Sequence, residues 1–291
     1  MRQSRSRNHQ AICRTFVLTF SAFNLASPPV VVDAFALLAP KGQKAVLEYK
    51  IEIEGTASGT NNNYQSDKWS TRRTLVVRTT LVASQPMAVD PGVPRTSVGS
   101  PKSKVFVGSP QSEVSGKGLP RYQLWLAGSK PPATGTIKIE VQKEQLFKTA
   151  VDERETCRET AELKFEDLMH VSTWSAMIKI DAQAGTYVAK FPRPDRTIKA
   201  TIECVKLIGR QRSEQHSTSG MKFLPEEYRE ATPDEMEVFS GDADAATDAA
   251  SGGRLLAHGK KVLTGIYGTL VGDVPMTATV TVRWALTLLK D

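Results

Sequence analysis

Alternation of apolar and polar residues is the dominant pattern along this chain. Residues 47–54 place an apolar side chain at every odd position and a charged one at every even position. Residues 276–288 place an apolar side chain at every even position, with Thr at most of the odd ones. Because successive side chains of a β-strand point to opposite faces, each segment predicts a strand with one buried and one solvated face. A helix would spread the two sets around its circumference, so the pattern argues against a helix at both places.

Further segments predict strands by alternation or by their β-branched and aromatic content. They span residues 74–83, 122–127, 137–142, 162–166, 174–180, 186–191, 197–207 and 262–271. Short links containing Gly or Pro separate the three segments between residues 174 and 207, which predicts an antiparallel meander there. The best helical candidate is short and charged, at residues 152–160.

Two segments interrupt the alternation. Residues 85–120 hold six Pro, five Gly and six Ser, and residues 209–259 are first polar, then acidic, then rich in small residues. Such compositions predict irregular structure. The rest of residues 37–291 suits a single domain of about ten strands. We therefore predict an all-β fold, a single antiparallel β-sandwich with two long irregular loops; a β-barrel is the alternative.

The N-terminus has the three parts of a secretory signal. A basic segment comes first, an apolar segment covers residues 16–26, and an Ala-Phe-Ala tripeptide ending at Ala36 provides the small-x-small pattern that signal peptidases recognise. We predict that residues 1–36 are a cleaved signal peptide and that the protein is exported to the periplasm or the extracellular space. An uncleaved anchor at residues 15–32 is the alternative, but two consecutive prolines make it a poor spanning helix. No stable membrane insertion is expected.

Cleavage would leave two cysteines, Cys157 and Cys204. An even number of cysteines in an oxidising compartment predicts a disulfide. A redox-active pair more often has the spacing C-x-x-C, whereas these two residues are 47 positions apart. The pair therefore predicts a structural disulfide.

The charge distribution argues against nucleic-acid binding. Removal of the signal lowers the formal net charge from +7 to +4, well short of the dense basic surface that nucleic-acid-binding proteins carry. Residues 225–248 concentrate nine carboxylates around a single Arg. We interpret this segment as a solvated acidic loop; the alternative is a tether that binds a basic face of the same molecule.

No metal or cofactor site is predicted. Three histidines remain after cleavage, widely spaced and without an H-E-x-x-H motif: His170, His216 and His258. Three aspartates resemble the start of a calcium-binding loop, namely Asp242, Asp244 and Asp248. That loop lacks the glycine at its sixth position and the glutamate at its twelfth, so it does not predict a calcium site.

The enzymatic alternative is a serine hydrolase. His170, Asp195 and Ser251 follow the His-Asp-Ser order of chymotrypsin-like proteases, and two glycines after the serine could supply oxyanion-hole amides. However, Ala250 replaces the Asp that precedes the nucleophile in those enzymes, and the chain has no G-x-S-x-G motif. We therefore predict a non-enzymatic protein.

Two aromatic residues are candidates for ligand contact. In residues 122–127, Trp125 and Gln123 share the face opposite to the apolar one, so Trp125 is a candidate platform for sugar rings or for a protein partner. Tyr64 follows a polar, Asn-rich loop and could contribute to such a surface. Burial of Trp125 against a second sheet is the alternative.

Together these observations predict an exported binding or structural module whose ligand is a protein or a polysaccharide. A β-sandwich can bind through a shaped surface and leave no short motif. An outer-membrane β-barrel is an alternative, since lipid could cover the apolar faces of its strands. Against it, the chain ends Leu289-Lys290-Asp291, without the terminal aromatic residue usual in that class.

Overall fold

The structure, a computed structural model, describes residues 37–92, 119–127, 133–149, 151–165, 176–191, 197–223, 238–242, 254–271 and 274–289. These residues form antiparallel strands and no α-helix, so the predicted all-β fold is confirmed. No described segment has the helical length and apolar content needed to span a bilayer. The strands are β1 (Lys44–Gly59), β2 (Tyr64–Ala83), β3 (Tyr122–Ala127), β4 (Thr134–Phe147), β5 (Glu153–Phe165), β6 (Met177–Asp181), β7 (Thr186–Lys190), β8 (Thr197–Ile208), β9 (Gln211–Lys222), β10 (Val238–Asp242), β11 (Arg254–Val271) and β12 (Val274–Leu288).

The described strands belong to one sheet that divides into two branches. β11, β12, β1 and β2 lie side by side and form a stem. On its other edge, β2 pairs with β4 along residues 64–78 and with β3 at residues 81–83. A long branch therefore continues as β4-β5-β8-β9, and a short branch continues as β3-β6-β7-β10.

Alternation decides which face of the stem is buried. In β1 the odd-numbered residues from Ala45 to Ile53 are buried, and in β12 the even-numbered residues from Met276 to Leu286 are buried. The register places both sets on the same face, because Tyr49 is opposite Trp284. We call this apolar face of the sheet the inner face and the charged, Thr-rich face the outer face.

The short branch folds over the inner face of the stem, and aromatic rings fill the space between them. Phe191, which follows β7, stacks on Tyr49 of β1 with ring centroids 5.1 Å apart. It also stacks on Phe239 of β10 at 5.2 Å and lies 5.3 Å from the ring of Trp284 in β12. Large rings supply much of the hydrophobic burial between two layers. This layered packing is consistent with the predicted β-sandwich.

A hydrogen-bonded pair of aromatic side chains joins the same two layers. Trp284 Nε1 donates to Tyr187 Oη over 2.7 Å, and the Tyr187 hydroxyl donates to the backbone carbonyl of His258 over 2.8 Å. Burial raises the pKa of Tyr187, so its hydroxyl keeps its proton and remains a donor at neutral pH. The polar atoms of both side chains are therefore satisfied inside the core.

The long branch curls until the end of β9 reaches the inner face of β2. The buried Arg73 of β2 donates from Nη1 to the carbonyl of Lys222 over 2.7 Å and to that of Phe223 over 3.2 Å. The Phe223 ring is completely buried beside it. These charge-assisted hydrogen bonds fix the end of β9 against the core.

The predicted disulfide between Cys157 and Cys204 is present. The two residues are directly opposite in the register of β5 and β8, with Cα atoms 4.1 Å apart. The disulfide therefore links neighbouring strands of the long branch. It is compatible with an oxidising compartment.

The predicted meander at residues 174–207 is wrong in its third strand. β6 and β7 pair as expected, but β7 pairs next with β10, while β8 lies between β5 and β9. The lengths give the physical reason, since β7 has five residues and β8 has twelve. A long strand satisfies more of its backbone groups beside the long β5 and β9 than beside β7.

The helical candidate at residues 152–160 is also wrong, because residues 153–160 belong to β5. At this end of β5 the side chains on both faces are exposed or half-buried. Charged residues therefore occur on both faces and hide the period-two pattern that marks an ordinary strand.

Residues 209–259, predicted to be irregular, contain β9, β10 and the start of β11. β9 pairs only with β8 among the described strands, and its first eight residues are exposed. A strand at a sheet edge with two exposed faces needs no apolar positions, so its sequence resembles a loop. No strand occurs among the described residues of the other segment, 85–120. The described strands number twelve rather than about ten.

The predicted signal peptide, residues 1–36, lies outside the described residues. Its cleavage, and the assignment of residues 37–291 to a single domain, stay predictions. The first described residues enter the core directly, since Leu37 is fully buried and Ala39 nearly so.

Candidate functional site

The face of β3 that carries Trp125 is buried, so the predicted surface platform is wrong. The side chain of Trp125 is 0% exposed, and its indole N–H has no hydrogen-bond partner among the described residues. Its polar neighbour Gln123, which suggested a solvated face, is buried as well. The Gln123 amide donates to the carbonyls of Ala39 and Ser84 and accepts from the Ala39 N–H at 2.7–2.9 Å. In the sequence, a buried Gln whose amide bonds to backbone groups cannot be distinguished from a Gln at the surface.

Tyr64, the second candidate, is half-buried at the start of β2. Its ring packs edge-on against Phe147 of β4, with ring centroids 5.0 Å apart. The Asn61 side-chain oxygen accepts hydrogen bonds from the backbone N–H groups of Asn63 and Tyr64 at 2.8 and 2.9 Å, which fixes the preceding turn. Contact between Tyr64 and a ligand stays a prediction.

The residues of the hydrolase alternative, His170, Asp195 and Ser251, all lie outside the described residues. Their arrangement is therefore not tested. The same is true of the acidic segment 225–248 apart from residues 238–242. The serine-hydrolase alternative stays a prediction.

An open groove crosses the outer face of the sheet. It has a volume of about 720 Å³ and extends over β1, β2, β4, β5 and β8. Hydroxyl groups and the small apolar surfaces of Ile139 and Ala161 complete its lining. Its charged lining residues are Lys50, Glu52, Arg72, Lys138, Glu140, Arg158, Glu162 and Lys199.

The alternation that builds the core also builds this groove. Because neighbouring residues point to opposite faces, Lys138 and Glu140 line the groove while Ile137 and Val141 enter the core. Pairing then brings charges from different strands together. Lys138 is directly opposite Glu162. The groove is thus a property of the register between strands and not of one motif.

Opposite charges pair within the groove, both between neighbouring strands and along β1. Arg158 holds Glu140 at 2.9 Å, and Lys138 lies 3.4 Å from Glu162. Glu52 accepts from Lys50 at 2.7 Å and from Arg283 at 2.8 Å. Such partly exposed pairs each contribute about 1 kcal/mol or less to stability. Their main effect is on the register between the strands and on the electrostatic field within the groove.

Two carboxylates of the groove, Glu52 and Glu140, are held in their ionised form. The hydrogen bond from Lys50 lowers the pKa of Glu52, and the hydrogen bond from Gln142, with Arg158 nearby, lowers the pKa of Glu140. A general acid or base works best with a pKa near the working pH. These two side chains are therefore suited to fixed electrostatic contacts and not to proton transfer.

Among the residues that the structure describes, five cations and three carboxylates line the groove, an excess of two positive charges. Lys199 of β8 forms no ion pair or hydrogen bond with the described residues and is exposed. Thr160 and Thr201 are directly opposite each other beside it and line the same end of the groove. This end therefore offers an ammonium group and two hydroxyls to an anionic, hydroxyl-bearing ligand.

Comparison with known proteins adds no family to this description. The chain matches no protein-family model, no curated protein and no solved structure. The groove on the outer face is therefore the candidate binding site.

Proposed function

We propose that this chain is an exported binding module and that its outer groove holds an acidic polysaccharide. The observation that carries the proposal is the groove itself, about 720 Å³ in volume and lined by more cations than carboxylates. The basic and apolar segments at the N-terminus support export, and the Cys157–Cys204 disulfide is compatible with it.

The lining favours a carbohydrate over a protein partner. The centre of a protein interface is depleted of charge and enriched in aromatic residues. The groove has charged and hydroxyl side chains, and no aromatic residue lines it in the part of the chain that the structure describes. A polysaccharide with carboxylate groups matches this lining, because its acids can meet the cations and its hydroxyls can bond to Thr74, Thr160 and Thr201.

Calorimetric titration with polygalacturonate and with uncharged dextran tests the proposal. We expect binding of polygalacturonate alone, with affinity that falls as salt rises because the groove is open to solvent. Lys199→Glu reverses a groove charge that has no ion-pair partner among the described residues, so we expect it to weaken binding roughly fivefold or more.

Lys41→Glu is the matched control. Lys41 is exposed in the turn before β1 and does not line the groove, so the same change in net charge should leave affinity within about twofold. Equal binding of dextran and polygalacturonate, or equal loss in the two variants, would contradict the proposal. A protein that binds neither polymer would favour the structural role.

A further inference from the structure

We propose that reduction of the Cys157–Cys204 disulfide opens a binding site for a thiophilic divalent metal ion, with Glu155 as the third protein ligand. The donor atoms of Glu155, Cys157 and Cys204 all lie within 4.8 Å of one another. This inference is independent of the groove and stands or falls separately from the proposed function.

Strand register creates the cluster. Glu155 and Cys157 are two positions apart on β5, so their side chains leave the same face of the sheet. Cys204 of β8 is directly opposite Cys157. The three side chains therefore leave the same face of the sheet next to one another, and their donor atoms lie close together. All three residues are half-buried, which leaves one side open to water.

The carboxylate of Glu155 feels the nearby charge of Lys206 but is available as a ligand. Its cross-strand neighbour Lys206 already binds Glu153, with Nζ 2.6 Å from Oε1. Glu155 itself forms no hydrogen bond or ion pair with the described residues. Lys143, which is opposite Cys157, has its ammonium 5.4 Å from the centre of the Trp69 ring. Two nearby cations therefore offset the charge of a thiolate-rich site without occupying it.

The chemistry balances with a dithiol as reductant. The dithiol transfers two electrons and two protons to the Cys157–Cys204 bond, giving two thiols, and becomes a disulfide itself. A divalent ion then displaces one proton from each thiol and binds two sulfurs and one carboxylate oxygen, with two protons released to solvent. Water supplies the fourth position of a tetrahedral set.

The donor set selects the metal. Thiolates favour Zn²⁺ and Cd²⁺ over hard ions such as Mg²⁺ and Ca²⁺. In the oxidised protein the sulfurs are bonded to each other and cannot act as thiolates, so the disulfide keeps the site closed. The cluster thus couples metal binding to the redox state.

Titration of Cd²⁺ into the phosphine-reduced protein tests the inference, with sulfur-to-cadmium absorbance in the ultraviolet as the readout. We expect one equivalent to bind to the reduced protein and none to the oxidised protein. Glu155→Gln should weaken binding by about tenfold or more, since it removes a ligand. Glu159→Gln is the control: it removes a carboxylate two positions from Cys157 on the same face of β5, outside the three-donor cluster, and leaves the Glu153–Lys206 ion pair in place.

Absence of Cd²⁺ binding to the reduced protein would overturn the inference. Equal affinity of the Glu155→Gln and Glu159→Gln variants would overturn it too, because it would show that two thiols bind metal without a built third ligand. Far-ultraviolet circular dichroism of each sample establishes that the reduced chain stays folded; binding confined to an unfolded chain would also count against the site.

Discussion

Trp125 occupies the interior of the short branch, where Ala83 and Ile178 are its cross-strand neighbours. Because the side chain is fully buried, we expect Trp125→Ala to lower the free energy of unfolding by about 3–5 kcal/mol. Urea denaturation followed by circular dichroism measures this loss. Ligand affinity per folded molecule should not change, since the residue is remote from the groove lining.

Trp69 provides the comparison for that experiment. It is half-buried, its Nε1 donates to Asp67 over 3.2 Å, and it exposes part of its ring to the ammonium of Lys143. Trp69→Ala should cost less, about 1–3 kcal/mol, because less apolar surface leaves water on folding. A Trp125→Ala variant no less stable than Trp69→Ala would place Trp125 at the surface after all.

Gly135 of β4 is a second residue that the packing does not allow to vary. A Cβ at this position would lie 2.1 Å from the Val76 carbonyl oxygen and 2.5 Å from a ring carbon of Phe165. We expect Gly135→Ala to destabilise the protein by about 1–3 kcal/mol through overpacking. In the same urea assay the exposed neighbour Thr134→Ala should stay within about 0.5 kcal/mol of the parent. Equal stability of the two variants would show that β4 and β5 pack less closely here.

Asp181 gives the protein a pH-dependent contact. Arg121 donates to both carboxylate oxygens at 2.7–3.1 Å, and the backbone N–H groups of Gln183 and Ala184 donate to Oδ1. These bonds, with Arg121 first, lower the pKa of Asp181. A depressed folded pKa means that the contact stabilises fully above the ordinary Asp pKa, about 3.9, and loses its effect as pH falls through the folded value.

Asp181→Asn should therefore be less stable than the parent at pH 7, and the difference should shrink below about pH 4. Urea midpoints of both proteins across this pH range supply the measurement. A difference that is constant with pH would mean that ionisation of Asp181 contributes nothing to stability.

At the level of the elements, a disulfide between Cys157 and Cys204 links β5 to β8. Their disulfide closes a sequence separation of 47 residues, which reduces the entropy of the unfolded chain. Replacing both cysteines by serine should cost about 2–4 kcal/mol in urea denaturation, with the ladder of β5 and β8 retained. A double variant as stable as the oxidised parent would show that the ladder alone holds these strands.

The sequence predicts individual strands far better than it predicts their neighbours. β1 and β12 are visible because one of their faces is buried along the whole strand, and alternation reports that directly. β9 is not visible, because an exposed edge strand places no demand on apolar residues. The choice of β10 rather than β8 as the neighbour of β7 depends on the lengths of the strands and on the stacking of Phe191 on Phe239. The local pattern contains neither.

At the scale of the whole molecule, the two faces of one sheet have separate roles. The inner face forms the core with the short branch, and the outer face is left to carry the groove. The charged members of the groove are recognisable in the sequence as the polar half of each alternating strand. Their convergence is not, because it requires β4 to lie between β2 and β5, and β8 to lie beside β5.

The predicted binding residues also depend on contacts between strands that the sequence does not show. Trp125 and Gln123 looked like a surface pair because sequence alone cannot show that Ala39 satisfies a buried amide. Lys199 is not recognisable as a binding residue in the sequence, because a lone lysine on a strand is ordinary. Its two threonine neighbours, and the lack of an ion-pair partner among the described residues, emerge only from the strand pairing.

A backbone-amide NMR titration of the protein with a short oligogalacturonate tests the proposed groove site. We expect shift changes concentrated at the groove, at residues 50–52, 72–74, 138–140, 158–162 and 199–201, with little change at the buried positions of the inner face. Shift changes centred elsewhere, for example around Tyr64 and Phe147, or none at saturating ligand, would contradict the assignment of the outer groove as the binding surface.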